Sequence, residues 1–497
     1  MPRGLTAQRR CMRPQTTLLA MTLCSAFACA QPMLRAPQPS ARTVTALDGA
    51  PWTHGAGNAS RVSTLDLGTQ VYPPSLAAPT TLVDALPDGT PLEPLPGVAP
   101  IVAGGVAYAL AFVDGWEACV AIDLGTSQVL WDAPLPPVAL DSRAAPAFDT
   151  SNRAVLVAID EEVLCLSARN GRVRWRTQLL APVVNASALV TTDLGPADRV
   201  FVTDYGYISD AGRLYCLNAD PYHAALNPYQ PGEIVWTVAI DGVSSGNSPA
   251  YDPQTRTLYV ATPGDGFGGP GRVLAYDATA TAPPPPAWAF TNPTNAGFFG
   301  GVSVRDGHIY AASYAFSGGQ LNSNLVKLHA TSGGLAWSVP SNRTDSTPVP
   351  LADGRVLLAG GVPPDPVFGD YGSRRSLALY DDDGTLLLET TLDTWIDTNA
   401  NGTPDPGEFT DLGGWTDQPV VLEHPGGRAE AFAACGSPGL EGTARVNLDW
   451  TPGSPDPLIS QWSPYGNGPL APSGGWLVIP DDSGYVLVPP RLARTAR

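Results

Sequence analysis

Cys119-Val-Ala-Ile-Asp-Leu-Gly-Thr-Ser-Gln-Val-Leu-Trp131 is an apolar run, a polar turn with a glycine, and a second run ending in tryptophan. The unit recurs. LCLSARNGRVRW starts at Leu164, YCLNAD and then GEIVW at Tyr215, LAYDATA and then AW at Leu274, and VKLHATSGGLAW at Val326. LALYDDDGTLLLE, from Leu377, is a sixth copy with Leu387 near the tryptophan place. Two short runs around a polar turn make an antiparallel hairpin. Upstream of each hairpin lies another strand pair. Its first member opens at Pro100, Pro146, Ser187, Pro249, Gly301, Pro348, Pro419 and Leu470. Its second is an alternating run such as RVFVT, TLYVAT, RVLLAG or WLVIP. The repeat is therefore four strands, A to D, with eight starts.

One four-stranded sheet cannot bury both of its faces. Stacking such sheets around an axis buries them and protects their edges. The expected fold is all-β, an eight-bladed β-propeller of four-stranded antiparallel blades. The last blade runs out of chain after WLVIP and GYVLVPP, so its outer strand is expected from residues 61–96. Trp131, Trp175, Trp236, Trp288 and Trp337 are expected as plates filling the gaps between blades, far from the axis.

The consensus of these repeats resembles that of pyrroloquinoline-quinone (PQQ) propellers. Ala121-Ile122-Asp123, Gly125 and Trp131, Gly171 and Trp175, Leu217-Asn218 and Trp236, and Tyr276-Asp277 and Trp288 carry the resemblance. The stretch DGAPWTHGAGNASRVSTL from Asp48 is similar to the family's lead-in. The resemblance implies fold more than activity, because a fold hosts many functions. Similar repeats occur in quinoprotein alcohol dehydrogenases, which are enzymes, and in the lipoprotein subunit of the outer-membrane β-barrel assembly machine, a scaffold. The dehydrogenases have a vicinal cysteine pair over the quinone. This chain has no Cys-Cys dipeptide, and their catalytic aspartate, calcium ligands and stacking tryptophan do not align to it. A non-catalytic reading follows, with a divergent PQQ-dependent oxidoreductase as the alternative.

The N-terminus reads as a targeting segment. Arg3, Arg9, Arg10 and Arg13 precede an apolar run, Thr16 to Ala30, that ends in small residues. That is a secretory signal over residues 1–30, followed by a lead-in 31–60, the propeller 61–490 and a tail 491–497. Cys29 offers a lipid anchor as a second reading. The expected location is the periplasm, the outer membrane or the exterior. The 497 residues carry 28 basic and 46 acidic side chains. Losing four arginines leaves 24 basic residues against 46, or −22. Such a charge argues against nucleic acid, whose binding rests on counterion release by basic residues. No later apolar stretch is long enough to span a bilayer.

Cys119, Cys165, Cys216 and Cys435 remain after the signal, widely spaced and without a C-x-x-C, which argues against zinc and haem motifs. Small buried core residues are the favoured reading over a Cys165–Cys216 disulfide. Gly242-Val-Ser244-Ser-Gly246 fits G-x-S-x-G but lies between strands, where no helix can make a nucleophile elbow. Glycine-rich 264–271 lacks lysine and reads as a turn.

The sharpest chemical signal lies in an insertion, 395–410. Asp397, Asn399, Asn401, Gly402, Thr403, Asp405 and Glu408 match D-x-[DN]-x-[DN]-G-x5-E. Calcium takes six to eight hard oxygens. Asp397, Asn399 and Asn401 supply side chains, Thr403 its carbonyl, Asp405 a direct or water-borne contact, and Glu408 two oxygens. Pro404 and Pro406 preclude an exiting helix, so a lone structural loop is expected. In a propeller, D–A and B–C connections share one face. The long B–C connections 204–212, 263–271, 314–324 and 362–375 and the calcium loop therefore share it, with Arg143, Asn185, Asn247, Asp345, Asp417 and Asn467 expected to ring the pore. That face is expected to hold a protein or carbohydrate partner.

Overall fold

The computed structural model describes residues 52–66, 74–77, 80–137, 144–206, 211–240, 247–264, 269–316, 322–362, 375–390, 394–399, 401–436, 439–466 and 468–489. The described chain is strands and turns without helix. Blade one has a split strand A, Leu92–Pro94 and Ile101–Ala103, then Val106–Val113, Trp116–Asp123 and Gln128–Pro134. Blade two is Ala147–Asp149, then Ala154–Ser167, then Val173–Val183. Its middle element holds strands B and C, reversing at Asp160, whose φ is +48°. Blade three is Leu189–Thr191, Arg199–Thr203, Arg213–Asn218 and Ile234–Ala239. Blade four is Ala250–Asp252, Thr257–Thr262, Arg272–Asp277 and Trp288–Thr291. Blade five is Ser303–Arg305, His308–Ala312, Ser323–His329 and Leu335–Ser341. Blade six is Val349–Pro350, Val356–Gly360, Ser376–Tyr380 and Leu386–Glu389. Blade seven is Val420–Glu423, Ala429–Cys435, Gly442–Asn447 and Ile459–Ser463. Blade eight has Ala471–Ser473, Trp476–Asp481 and Gly484–Val488, and takes its outer strand, Thr81–Val83, from the other end of the chain. The eight-bladed propeller and its closing strand within 61–96 agree with the sequence.

The core lies between blades. One apolar cluster joins blades two and three through Val163, Leu156, Val200 and Tyr215. Another joins four and five through Tyr259, Val273, Val326 and Leu328. Strands B and C are buried on both faces, while outer strands alternate; Gln128–Pro134 runs exposed, buried, exposed, buried. This is the period of two expected of a half-covered sheet edge.

The repeat's glycine and tryptophan belong to one contact, made across the gap. A Cβ on Gly171 of blade two would sit 2.7 Å from Cε3 of Trp131 in blade one. One on Gly333 of blade five would sit 2.4 Å from Trp288 of blade four. Gly232 faces Trp175 and Gly384 faces Trp337 in the same way. These turns hold φ of +67° at Gly171 and +68° at Gly333, which L side chains rarely adopt. The indoles also donate to the next blade, Trp131 Nε1 to Ala168 O at 3.0 Å, Trp236 to Ala280 O at 2.8 Å and Trp288 to Ala330 O at 3.0 Å.

Candidate functional site: a blind well and the loops around it

Strand A of each blade lines the central channel, and residues 52–66 cross one end of it. Trp52 and Val102 exchange backbone bonds of 2.8 and 2.9 Å. Thr53 O then accepts from Phe148 N, Ala59 O from Tyr251 N, Ser60 O from Val304 N and Ser63 O from Val421 N, all at 2.8–3.0 Å. Thr64–Asp66 finishes as a strand parallel to Val420–Glu423. The strap thus joins blades one, two, four, five and seven. Its partners sit within strands A, beyond the residues that line the well, so it closes the channel on the A–B side.

Two buried side chains fasten the strap. Arg61 Nε donates to Pro249 O at 3.0 Å, and its Nη2 to Ser187 O and Ala188 O at 2.9 and 3.1 Å. Burial brings its pKa down to about 9. His54 Nε2 accepts from Val190 N at 3.2 Å, and Nδ1 lies 2.9 Å from Thr53 Oγ1. An Nε2 that accepts must be unprotonated, so Nδ1 carries the proton. Burial, and then the charge of Arg61, hold this imidazole well below the usual histidine range.

Above the strap the channel is a well open toward the D–A and B–C connections. Gly55, Ala56 and Arg61 form its floor. Its wall is stitched from blade to blade. Ala145 N donates to Ser187 Oγ, Ser187 N to Ser248 Oγ, and Thr347 N to Gln418 Oε1, at 2.8–3.0 Å. Of the residues expected to ring the pore, Asn185 and Asp345 line it. Asn247 and Asp417 are correctly placed along the chain but lie buried behind the wall. Asn247 Nδ2 donates to Phe298 O, and Asp417 Oδ2 accepts from Ala434 N at 3.1 Å. Burial raises the Asp417 carboxyl to about 6. Arg143 and Asn467 lie outside the described residues.

An aromatic ledge stands at the mouth. Phe299 lines the well and meets Phe316 edge-on at 5.2 Å. Tyr314 packs against Phe316 at 4.7 Å and Trp415 at 5.7 Å, with the Arg343 guanidinium 5.6 Å over its ring. Phe316 is 43% exposed. The sequence reading missed both ledge and strap. The ledge residues come from three separate connections, and the strap's signal was only its likeness to a lead-in.

The calcium-motif loop leaves blade six on the same face. Ile396 N to Glu408 O, 2.8 Å, pins its base. Asp397 accepts Asn401 N at 3.0 Å and Gly402 N at 2.8 Å, where Gly402 has φ of +75°. Glu408, 3% exposed, accepts Thr398 N and Oγ1 on one oxygen and Asp405 N on the other. Its hydrogen bond to Thr398 is the main influence holding its carboxyl below the usual range. Asp405 Oδ2 accepts Nδ2 of Asn399 at 2.8 Å and of Asn401 at 2.6 Å. Thr403 donates through N and Oγ1 to Asn401 Oδ1, which leaves the Thr403 carbonyl out of that exchange. The six expected ligands thus share one loop, its oxygens capped by its own N–H and O–H groups.

The remaining sequence candidates divide between undescribed and buried residues. Residues 242–246 lie outside the described residues, as do 265–268 of the glycine-rich turn. Cys119, Cys165, Cys216 and Cys435 are free and buried on strands of blades one, two, three and seven. Burial pushes the thiols of Cys165, Cys216 and Cys435 up to about 12, which disfavours the thiolate that a nucleophile needs. Among the described residues no cysteine or tryptophan lines the well, and Arg61 on its floor serves three carbonyls. No helix of the described chain is long and apolar enough to cross a membrane.

Known proteins fit this geometry. The family model described as outer membrane protein assembly factor BamB matches residues 90–220 and, overlapping, 117–283, which spans blades one to four. A europium-containing methanol dehydrogenase superposes with a TM-score of 0.56 at 14% identity, over 86% of this chain and 89% of that one. The chain is an eight-bladed β-propeller whose first four blades match that family model. Other structures with the same repeat architecture align less closely. BamB from Moraxella catarrhalis gives a TM-score of 0.48 at 17% identity, over 84% of this chain and all of that one. A quinohemoprotein alcohol dehydrogenase from Comamonas testosteroni gives 0.43 at 12%, over 78% and 77%. No curated protein matches by sequence. At these identities the likeness is one of fold.

Proposed function

We propose that this PQQ-like propeller is exported, to the periplasm, the outer membrane or the exterior, and serves there as a non-catalytic binding platform. Its working face is the one where the well opens, and its partner is a protein or a carbohydrate. The observation that carries this is the strap. It makes the channel a dead end whose floor and wall bond to themselves, leaving the mouth with its aromatic ledge as the surface that can meet a partner. Rings such as Phe316 and Trp415 offer large, stiff contact area at low entropic cost. The basic, apolar leader supports export, and Cys29, outside the described residues, would add a lipid anchor.

Calcium is proposed as a brace of the 397–408 loop. The two Asn Nδ2 groups that converge on Asp405 stand where a cation would neutralise the same carboxylate. Binding would turn Asn399 and Asn401 to present Oδ1, beside Asp397, the Thr403 carbonyl, Asp405 and Glu408. Hard oxygens of this kind suit calcium.

The test is reconstitution. The purified chain is mixed with PQQ and calcium, freed of excess, and assayed by absorption and by dye-linked oxidation of alcohols. No retained quinone is expected. Stoichiometric quinone with turnover would replace this reading with a divergent PQQ-dependent oxidoreductase.

A further inference from the structure

The floor of the well keeps donors that the strap does not use. Arg61 gives Nε to Pro249 O and Nη2 to Ser187 O and Ala188 O. Its Nη1 makes no hydrogen bond among the described residues, and Arg61, 1% exposed, lines the well. The three acceptors are neutral carbonyls. Burial is the one influence on the Arg61 pKa, so no neighbouring carboxylate balances the charge. Asp345 is the one acid lining the well among the described residues, and it is not a partner of Arg61.

Two hydroxyls stand beside the guanidinium. Ser187 and Ser248 line the well, and the carbonyls that hold Arg61 belong to Ser187 itself and to Pro249, next to Ser248. Ser187 Oγ accepts from Ala145 N at 2.8 Å, and Ser248 Oγ from Ser187 N at 2.9 Å. A hydroxyl that accepts keeps its own hydrogen to donate, and neither hydrogen meets an acceptor among the described residues. Ser187 is 6% exposed. A buried charge without a counter-charge is costly, and idle donors add to the cost. The two N–H of Nη1 and the two O–H make four donors with a single positive charge. A carboxylate offers about four acceptor sites on two oxygens and a single negative charge. A phosphate dianion would bring a second charge that this floor does not balance. The cavity is about 90 Å³, room for roughly six waters, which suits a carboxylate on a short carbon chain.

We propose that the floor of the well binds a carboxylate, held by Arg61 Nη1 and the hydroxyls of Ser187 and Ser248. The acid enters at the mouth, since the strap closes the other end. Once bound it balances the Arg61 charge and ties the strap to the entries of blades three and four. The site rests on the floor's own donors and not on the platform reading. A retained quinone would overturn that reading and leave this one to the titration of the quinone-free chain.

The experiment titrates the purified full chain with sodium acetate, by calorimetry and by thermal unfolding, against acetamide and sodium chloride at matched concentrations. Acetate should bind saturably and raise the melting temperature, and the two controls should do neither. Ser187→Ala/Ser248→Ala should weaken acetate by about tenfold or more. Arg61 variants also unfasten the strap, so the arginine is read in the unaltered chain. With isotopically labelled arginine, the side-chain resonances of Arg61 should shift with acetate and stay still with acetamide. Trialanine and its C-terminal amide then separate two sources of the group. Trialanine binding more tightly than acetate, with the amide inert, assigns a chain end; acetate alone assigns a free small acid. Either keeps the site. No saturable acetate binding, equal binding of acetamide or chloride, or binding that leaves the Arg61 resonances unmoved overturns the proposal.

Discussion

Blades one to five differ from blades six to eight in how each is joined to its neighbour. In the first group a strand-D tryptophan reaches the C–D turn of the next blade, and four of those turns place a glycine against the indole. Blade six has Leu387 at that place, 51% exposed. The later blades are joined by chain from the N-terminus instead. Thr64–Asp66 runs along the inner edge of blade seven, and Thr81–Val83 completes blade eight. Blade seven adds a buried ion cluster, in which Glu430 accepts from Arg445 and His424. The first group has repeated local chemistry between blades, to which the strap adds bonds across the channel; the second lacks the repeated contact and relies on chain from the N-terminus, which joins the two ends. The family match, which ends at residue 283, covers only blades of the first kind.

The strap should therefore carry the largest single effect. Arg61→Met strips donors from Pro249, Ser187 and Ala188 carbonyls in a closed floor. Each stranded acceptor costs on the order of 1–3 kcal/mol, partly offset because a buried charge is also removed. We expect a net loss of about 4 kcal/mol in urea unfolding, with hydrogen exchange accelerated in Val420–Glu423. A loss below that of the glycine substitution that follows would make the tryptophan contacts, not the strap, the principal closure.

Gly171→Ala tests the first group. It places a methyl 2.7 Å from Trp131 in a residue held at φ +67°. Left-handed strain and overpacking together suggest about 3 kcal/mol. Gly89→Ala is the matched control, with φ of +88° and nothing within 4 Å, and should lose only about 1 kcal/mol. Equal losses at the two positions would mean that the turn, not the indole, sets the need for glycine.

How much of this was legible beforehand divides along the same line. The B–C–D pattern and its tryptophans repeat, so eight blades and a borrowed outer strand could be read from period alone. The glycine was visible as a turn residue, but that it serves the tryptophan of the preceding blade needs three dimensions. The strap was hidden because its bonds are mostly backbone to backbone, from a segment without alternation, and its two fastening side chains, Arg61 and His54, are of types that read as solvent-exposed in sequence. Asn247 and Asp417 stood at the right places before strand A, yet a one-residue offset turned them behind the wall, as the pleat dictates.

Calcium should act on the junction between blades six and seven, since the 397–408 loop is followed by Trp415 O and Gln418, which bond Asp345 N and Thr347 N ahead of blade six. Chelator is expected to lower the melting temperature of the intact chain, and added calcium to restore it in proportion to its concentration. Glu408→Ala should respond to neither. Equal shifts in both proteins would remove the metal from the account.

The smallest effect is a slope. His54 must stay neutral to accept from Val190 N, and its pKa lies well below 6.5 in the fold. Below pH 6.5 the unfolded chain therefore binds a proton that the folded chain refuses. Stability then falls with falling pH, by up to about 1.4 kcal/mol per unit, and is full above pH 6.5. Asp417 works the other way. Its carboxyl, raised to about 6, takes up a proton in the fold before the unfolded chain does, which adds stability as pH falls from about 6 toward 4. The two oppose each other across that window, so the intact protein should show a shallow profile. Asp198, its carboxyl also raised to about 6 by burial, adds in the same sense, so Asp417→Asn removes part of the offset and should steepen the acid loss, while His54→Asn should leave stability rising as pH falls toward 4. Parallel profiles for the two variants would mean that neither the strap's imidazole nor the carboxyl behind the wall governs acid stability.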